Sequence, residues 1–274
     1  MVLNEEELRK AQELMLILLK KFAKICDDND IHYFLDSGTL LGAIRHNGFI
    51  PWDDDIDVGM LRKDYDKFCQ VLMTYKDENI VLQNFETDSG FGFSFSKLVL
   101  KNTKWIEKFA MNTNRDYEGI FLDIFPFDKV PNDDKQIRKI YKINNFYKAI
   151  LFAKLGYNPG IKKPFKRFLF ALLKFFSKFF SVKALQNKQV KLCTKYNYLE
   201  NNYLVTEFGG TFYESLNPES FYKETCKHRF EDDYFNIPKQ YDRVLTHMYG
   251  DYMTPPVDPT YKHEILEFDM GNYI

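Results

Sequence analysis

Apolar positions in the first 25 residues recur at steps of three and four: Leu8, Ala11, Met15, Leu18, Phe22 and Ile25. That spacing predicts an amphipathic helix over 5–25, ended by the run Asp27-Asp28-Asn29-Asp30. Residues 31–35 are short and β-prone, Asp36-Ser37-Gly38 reads as a turn, and 39–45 suits a short helix. Residues 46–54, with Gly48 and Pro51, read as a loop, and the alternation over 55–61 reads as a strand. Helical spacing returns over 62–75, with Tyr65, Phe68, Val71 and Leu72 on one face. Residues 80–85, 93–100 and 119–125 are further strand candidates. From Asn132 the pattern is mostly helical, over 133–155, 163–180 and 182–198, with a break at Gly156 to Gly160. The tail from Tyr234, with Pro238, Pro255, Pro256 and Pro259, reads as loop-rich.

Strands and helices therefore mix through the first 130 residues, which predicts an α/β or α+β core followed by a mostly helical portion. The pattern divides into a core over 1–130, a helical insertion or subdomain over 131–200 and a closing segment over 201–274. The 274 residues are 45% hydrophobic and 28% charged, a globular composition long enough to fold without staples. A net charge of −1 excludes a generally cationic nucleic-acid binder, and no nucleic-acid partner is expected. The four Cys are scattered with no CxxC pair, which fits a reducing compartment. The N-terminus is acidic and polar, unlike a signal peptide. The longest apolar run in the Phe-rich stretch is the six residues 168–173, too short to span a bilayer. These features predict a chain kept on the cytoplasmic side.

The densest chemistry is Pro51-Trp52-Asp53-Asp54-Asp55-Ile56-Asp57-Val58-Gly59. On a strand, Asp55 and Asp57 share a face while Ile56 and Val58 enter the core. Two carboxylates side by side repel unless a cation sits between them, and hard oxygen donors suit Mg²⁺ or Mn²⁺. A third acid, Asp123, lies between Leu122 and Ile124, where an acid is costly unless paired or metal-bound. Upstream, Ser37-Gly38 is a small pair after a strand, of the kind that lets backbone amides approach a phosphate. Strand, Ser-Gly, helix, Asp-apolar-Asp and a later acid resemble the nucleotidyltransferase fold, with residues 46–54 as an insertion; the resemblance implies an α+β fold with a mixed-sheet core, flanking helices and a helical C-terminal portion.

The run from Leu35 to Met60, LDSGTLLGAIRHNGFIPWDDDIDVGM, followed by Arg62-Lys63-Asp64-Tyr65, resembles the signature of the LicD family. Phe121-Leu122-Asp123-Ile124-Phe125-Pro126 and the stretch from Pro238 through Tyr249-Gly250-Asp251-Tyr252-Met253 to Pro255-Pro256 continue the resemblance. LicD-like proteins are phosphocholine transferases acting on bacterial surface glycans and are similar to the fukutin-type ribitol-phosphate transferases. The resemblance implies a CDP-choline-type donor, a glycan hydroxyl as acceptor (teichoic acid or lipopolysaccharide type, lipid-linked) and CMP as leaving group. It implies Asp55, Asp57 and Asp123 as metal-binding and catalytic acids.

Transfer of this kind needs charge neutralisation more than covalent help. Asp123 and Asp53 are both candidates for the base that takes the hydroxyl proton. Ser37, Gly38, Arg45 and Lys97 are candidates for holding phosphate, Lys97 because a Lys inside a β-patterned run needs a reason. His263 is a further candidate by its place in the resemblance. Trp52 either faces a quaternary ammonium or simply packs. Residues 162–180 read as a basic amphipathic helix, with Lys163, Lys166, Arg167, Lys174 and Lys178 toward one side and Phe165, Leu169, Leu172, Phe176 and Phe179 toward the other. That pattern suits either peripheral contact with the inner face of an anionic membrane or packing against the core. The competing functions are ribitol-phosphate or nucleotidyl transfer on the same fold, and a silent glycan-binding scaffold.

Overall fold

The computed structural model describes residues 3–199, 204–206, 216–256 and 264–273. The chain opens with α1 (Glu5–Asp28), started by a capping box in which Asn4 and Glu7 satisfy each other's backbone N–H groups. Glu5, Glu6 and Glu7 sit at its positive end, where carboxylates are favoured. Then follow β1 (Phe34–Leu35), α2 (Ser37–His46), β2 (Asp57–Leu61), α3 (Arg62–Thr74), β3 (Ile80–Gln83), β4 (Ser96–Leu100), β5 (Lys104–Glu107) and β6 (Phe121–Val130). The helical stretch is α4 (Asp134–Leu155), α5 (Pro164–Ser177) and α6 (Val182–Cys193). The chain closes with β7 (Leu204–Thr206), β8 (Asn217–Pro218), β9 (Thr225–Phe230), β10 (Asp233–Pro238), α7 (Tyr241–Tyr249) and β11 (Ile265–Asp269).

The main sheet runs β1-β2-β6-β4-β3, with β7 on the far end of β6 and β8 beside β7. β2 and β6 are parallel and every other pair is antiparallel, so the sheet is mixed. β6 runs through Pro126 to Val130, past residue 125 where the strand was expected to end. Pro126 falls where β6 has left β4 and has not yet met β7, so a missing N–H is tolerated on that edge. β2 begins at Asp57, two residues later than the alternation predicted, and Asp55 precedes it. Gly59 lets the rings of Phe34 and Phe127 close over β2, since a Cβ there would overlap the Phe34 ring.

The tail departs from expectation. It holds most of β10, which forms a hairpin with the preceding β9, then α7 and β11, which pairs with the equally unpredicted β5. Phe230, Phe235, Ile237, Val244, Leu245 and Ile265 join the main core beside Phe22, Phe34 and Phe68. Glu231 at the hairpin turn fixes it: its carboxylate takes Arg9 at 2.7 and 3.2 Å and the Phe49 N–H at 3.1 Å.

Helices α4, α5 and α6 pack on one another through smaller apolar clusters, such as Ile150, Leu151 and Leu185. On α5 only Ser177 is buried, while Phe165, Phe168, Phe175 and Phe176 of the helix, and Phe179 just beyond it, are all more than half exposed. α5 packs on α4 through Leu173, while these rings stay outside the buried clusters. Among the described residues no helix is long and apolar enough to cross a membrane.

Candidate active site

The pairing of three adjacent strands builds the site. Asp57 on β2 stands opposite Asp123 on β6, and Asp123 stands opposite Lys97 on β4. Side chains opposite one another across a ladder share a face, so Asp57, Asp123 and Lys97 form a row across the sheet. Lys97 Nζ is 3.0 Å from Asp123 Oδ1, and both residues are buried, at 5% and 9% exposure. The ammonium also lies 3.1 Å from the centre of the Phe121 ring.

Turns upstream bring further acids to this row. The Asp36 N–H donates to the Asp57 carbonyl at 3.1 Å, and the Asp57 N–H donates to the Thr39 hydroxyl at 2.8 Å. The first turn of α2 is thus clasped to the start of β2. Ser37, at φ 47°, turns the chain into α2. Loop 46–54 is anchored from below by buried Gln12, whose Nε2 donates to the Asp53 carbonyl at 2.9 Å. It lays the Asp53 carboxylate over Gly38, where a Cβ would come within 2.8 Å of Oδ2.

The electrostatics follow from this crowding. Burial, then Asp55, Asp123, Asp36 and Asp53, push the Asp57 carboxyl well above the usual range. Burial raises Asp123 to about 6 against the opposing pull of Lys97. Burial likewise raises Asp36 to about 6, with Ser37 hydrogen bonds opposing it. Like charges this close raise one another's pKa, since each disfavours the ionised form of its neighbour.

The fit to a divalent cation can be judged from the donors. Asp55, Asp57 and Asp123 present hard oxygens, and the buried Oδ1 of Asp123 accepts no hydrogen bond although Lys97 is near. That chemistry fits Mg²⁺ or Mn²⁺. Among the described residues no group of three His, Cys, Asp or Glu side chains is preassembled to hold an ion, so a cation would draw these carboxylates together.

Asp55, Lys97 and Asp123 open onto a cavity of about 840 Å³ walled by Phe93, Phe95, Phe109 and Phe121, with Glu107 and Glu264 at its edge. These rings were not singled out from the sequence. The signal was the run Phe93-Ser94-Phe95-Ser96-Lys97; the strand expected over 93–100 begins only at Ser96, yet the Phe95 ring still lies 5.9 Å from the Lys97 ammonium. Trp52 is not part of this wall; its ring meets His46 edge-on at 6.2 Å and packs on the main core. Arg45, at the far end of α2, donates to the Tyr252 carbonyl at 3.0 Å. Tyr249 on α7, partly exposed, was also missed: desolvation of its hydroxyl, then Asp36, Asp57, Asp53 and Asp55, push its phenol above the ordinary value. His263 lies outside the described residues.

The fold and this row of acids define a nucleotidyltransferase-type α+β protein. Residues 30–172 match the family described as LicD/FKTN/FKRP, nucleotidyltransferase domain. The chain is 32% identical over 273 residues to the lipopolysaccharide cholinephosphotransferase LicD of Haemophilus influenzae, covering 95% of this chain and 97% of that protein. It is 50% identical over 34 residues to the human ribitol 5-phosphate transferase FKRP, covering 12% of this chain and 7% of that one. Mouse FKTN, a ribitol-5-phosphate transferase, is 31% identical over 67 residues, 24% of this chain and 14% of that protein. The chain belongs to the LicD family.

Proposed function

We propose that this protein is a phosphotransferase that moves phosphocholine from CDP-choline to a hydroxyl of a cell-surface glycan precursor and releases CMP. The observation that carries the reading is that Asp55, Lys97 and Asp123, the last two in register with Asp57, line a cavity walled by four Phe rings. Ring faces attract a quaternary ammonium, and Glu107 at the edge adds a countercharge. A ribityl group, a chain of hydroxyls, gains little from four phenyl rings.

Asp55, Asp57 and Asp123 are the residues to hold Mg²⁺ or Mn²⁺, which would neutralise the donor diphosphate and the departing CMP phosphate. Lys97, drawn from Asp123 toward a phosphate oxygen, supplies a further positive charge. The acceptor hydroxyl attacks the phosphocholine phosphorus, its bond to CMP breaks, and the hydroxyl proton passes to a carboxylate, Asp123 or Asp53. Tyr249 keeps its O–H to donate to an anionic oxygen. Arg45 and His263 are candidates for outer phosphate contacts. The acceptor is a lipid-linked glycan met on the cytoplasmic side.

Isothermal titration with CDP-choline, CDP-ribitol and CTP, each with and without Mg²⁺, tests the reading. Metal-dependent binding of CDP-choline is expected, with Phe93→Ala and Phe109→Ala weakening CDP-choline more than CMP. Preference for CDP-ribitol or CTP would assign the site to ribitol-phosphate or nucleotidyl transfer. No nucleotide binding would leave a glycan-binding scaffold.

A further inference from the structure

Charge is unevenly distributed along this chain. Between Lys135 and Leu199 there are sixteen Lys and Arg and no Asp or Glu. Of the 38 cations in the protein, 22 are then left to accompany all 39 acids. The near-zero net charge therefore hides a strongly cationic helical layer beside an acidic core. That layer is α4, α5 and α6.

The same layer carries the most exposed apolar surface of the described residues. Phe165, Phe168, Phe175 and Phe179 are 72%, 61%, 55% and 76% exposed. Lys162, Lys163, Lys166, Arg167, Lys174 and Lys178 stand exposed among them. A soluble surface does not ordinarily present so many large rings together. Rings that insert beside cations that stay at the surface match one environment: the boundary between acyl chains and anionic headgroups.

We infer that α5 and the cations around it dock this protein on an anionic bilayer, with the Phe side chains entering the acyl boundary. The site of chemistry is adjacent. Arg167 and Lys174 line a small cavity of about 280 Å³ against loop 156–161, and Asn158 and Pro159 of that loop also line the Phe-walled cavity. Docking through α5 brings the mouth of the acid cluster to the membrane surface, where a lipid-held acceptor is presented. The inference rests on the proposed transferase reading for why a bilayer is needed, and on α5 alone for whether one is bound.

Flotation of the full chain with vesicles tests it without any substrate. Vesicles of phosphatidylcholine with about a third phosphatidylglycerol are expected to carry the protein at low salt, and pure phosphatidylcholine far less. Phe168→Ser with Phe175→Ser and Phe179→Ser, and separately Lys166→Glu with Lys178→Glu, are each expected to lower the partition about tenfold or more. All five positions are solvent-exposed, and circular dichroism checks that the variants fold. No flotation with anionic vesicles at low salt, or flotation unaltered in both variants, overturns the inference. A concentration-dependent dimer that the Phe variant abolishes also overturns it, by assigning the face to a second copy of the chain. Vesicle binding without nucleotide binding would keep this inference and remove the transferase reading.

Discussion

Lys97 and Asp123 form a buried ion pair, 3.0 Å apart, on adjacent antiparallel strands. Asp123 would otherwise be a carboxylate closed off from water beside Asp55 and Asp57, which is why the strand β4 carries a Lys in an apolar run. Removing one partner of such a pair leaves the other charge uncompensated, and the cost is about 3–5 kcal/mol. Lys97→Met is therefore expected to lower stability by about that amount at pH 7.5. The loss should shrink below about pH 5, where Asp123 binds a proton and no longer needs the ammonium. Chemical denaturation at the two pH values checks it. An equal loss at both would show that packing against Phe121, not charge, is what Lys97 supplies. Donor use should weaken in Lys97→Ala, less severely than when an acid is removed.

Asp55→Asn and Asp57→Asn are each expected to lower turnover about a thousandfold or more while leaving the fold intact. Without divalent ion the melting temperature should hold or rise, because each change removes one charge from a set that repels itself. Mg²⁺ or Mn²⁺ at about a hundred times its dissociation constant should raise the melting temperature of the native chain by roughly 5 °C, and the shift should vanish in Asp57→Asn. Near-normal turnover in either variant would remove that residue from the machinery. A metal shift preserved in Asp57→Asn would remove it from the ligand set.

Asp36 offers a pH signature. Its carboxyl stands at about 6 in the folded chain, against an ordinary value of 3.8. Between those values the folded chain keeps a proton that the unfolded chain has released. Stability from this group therefore falls as pH rises from about 4 to about 6, and stays at the lower level above that. Asp36→Asn keeps a good residue at the start of α2, so it should stabilise the metal-free protein at pH 8 and change little at pH 4. Thermal melts across that range check it; a variant less stable at pH 8 would show that the ionised carboxylate is needed there.

The pair Arg62 and Asp128 is a control far from the chemistry. The guanidinium meets Asp128 at 2.8 and 2.6 Å, and Asn197 adds a third bond to the same carboxylate at 2.6 Å. Arg62→Ala should cost about 3–5 kcal/mol by leaving Asp128 buried without its cation. Turnover per folded molecule should be unchanged, which activity normalised to folded protein would check.

Helices with a clean three-and-four repeat were legible, as α1 and α3 show. So was the character of the acid run, because alternation of Asp with Ile and Val has few uses. The hairpin of β9 and β10 was not legible: its strands carry Lys, His, Arg, Asp and Asn on an exposed ribbon, and only Phe230, Phe235, Ile237 and Pro238 are buried. Asp36 and Tyr249 were passed over because neither is unusual in its own stretch. They matter only where α2 and α7 meet the row of acids.

Composition and local pattern were enough to determine that acids, a buried-strand Lys and a basic aromatic helix exist in this chain, since those depend on neighbours a few residues away. Which of them meet is a question of register. The parallel pairing of β2 with β6 and the antiparallel pairing of β6 with β4 set residues 57, 123 and 97 in one line. Only the folded sheet decides that, because a slip of one residue would turn every side chain to the opposite face.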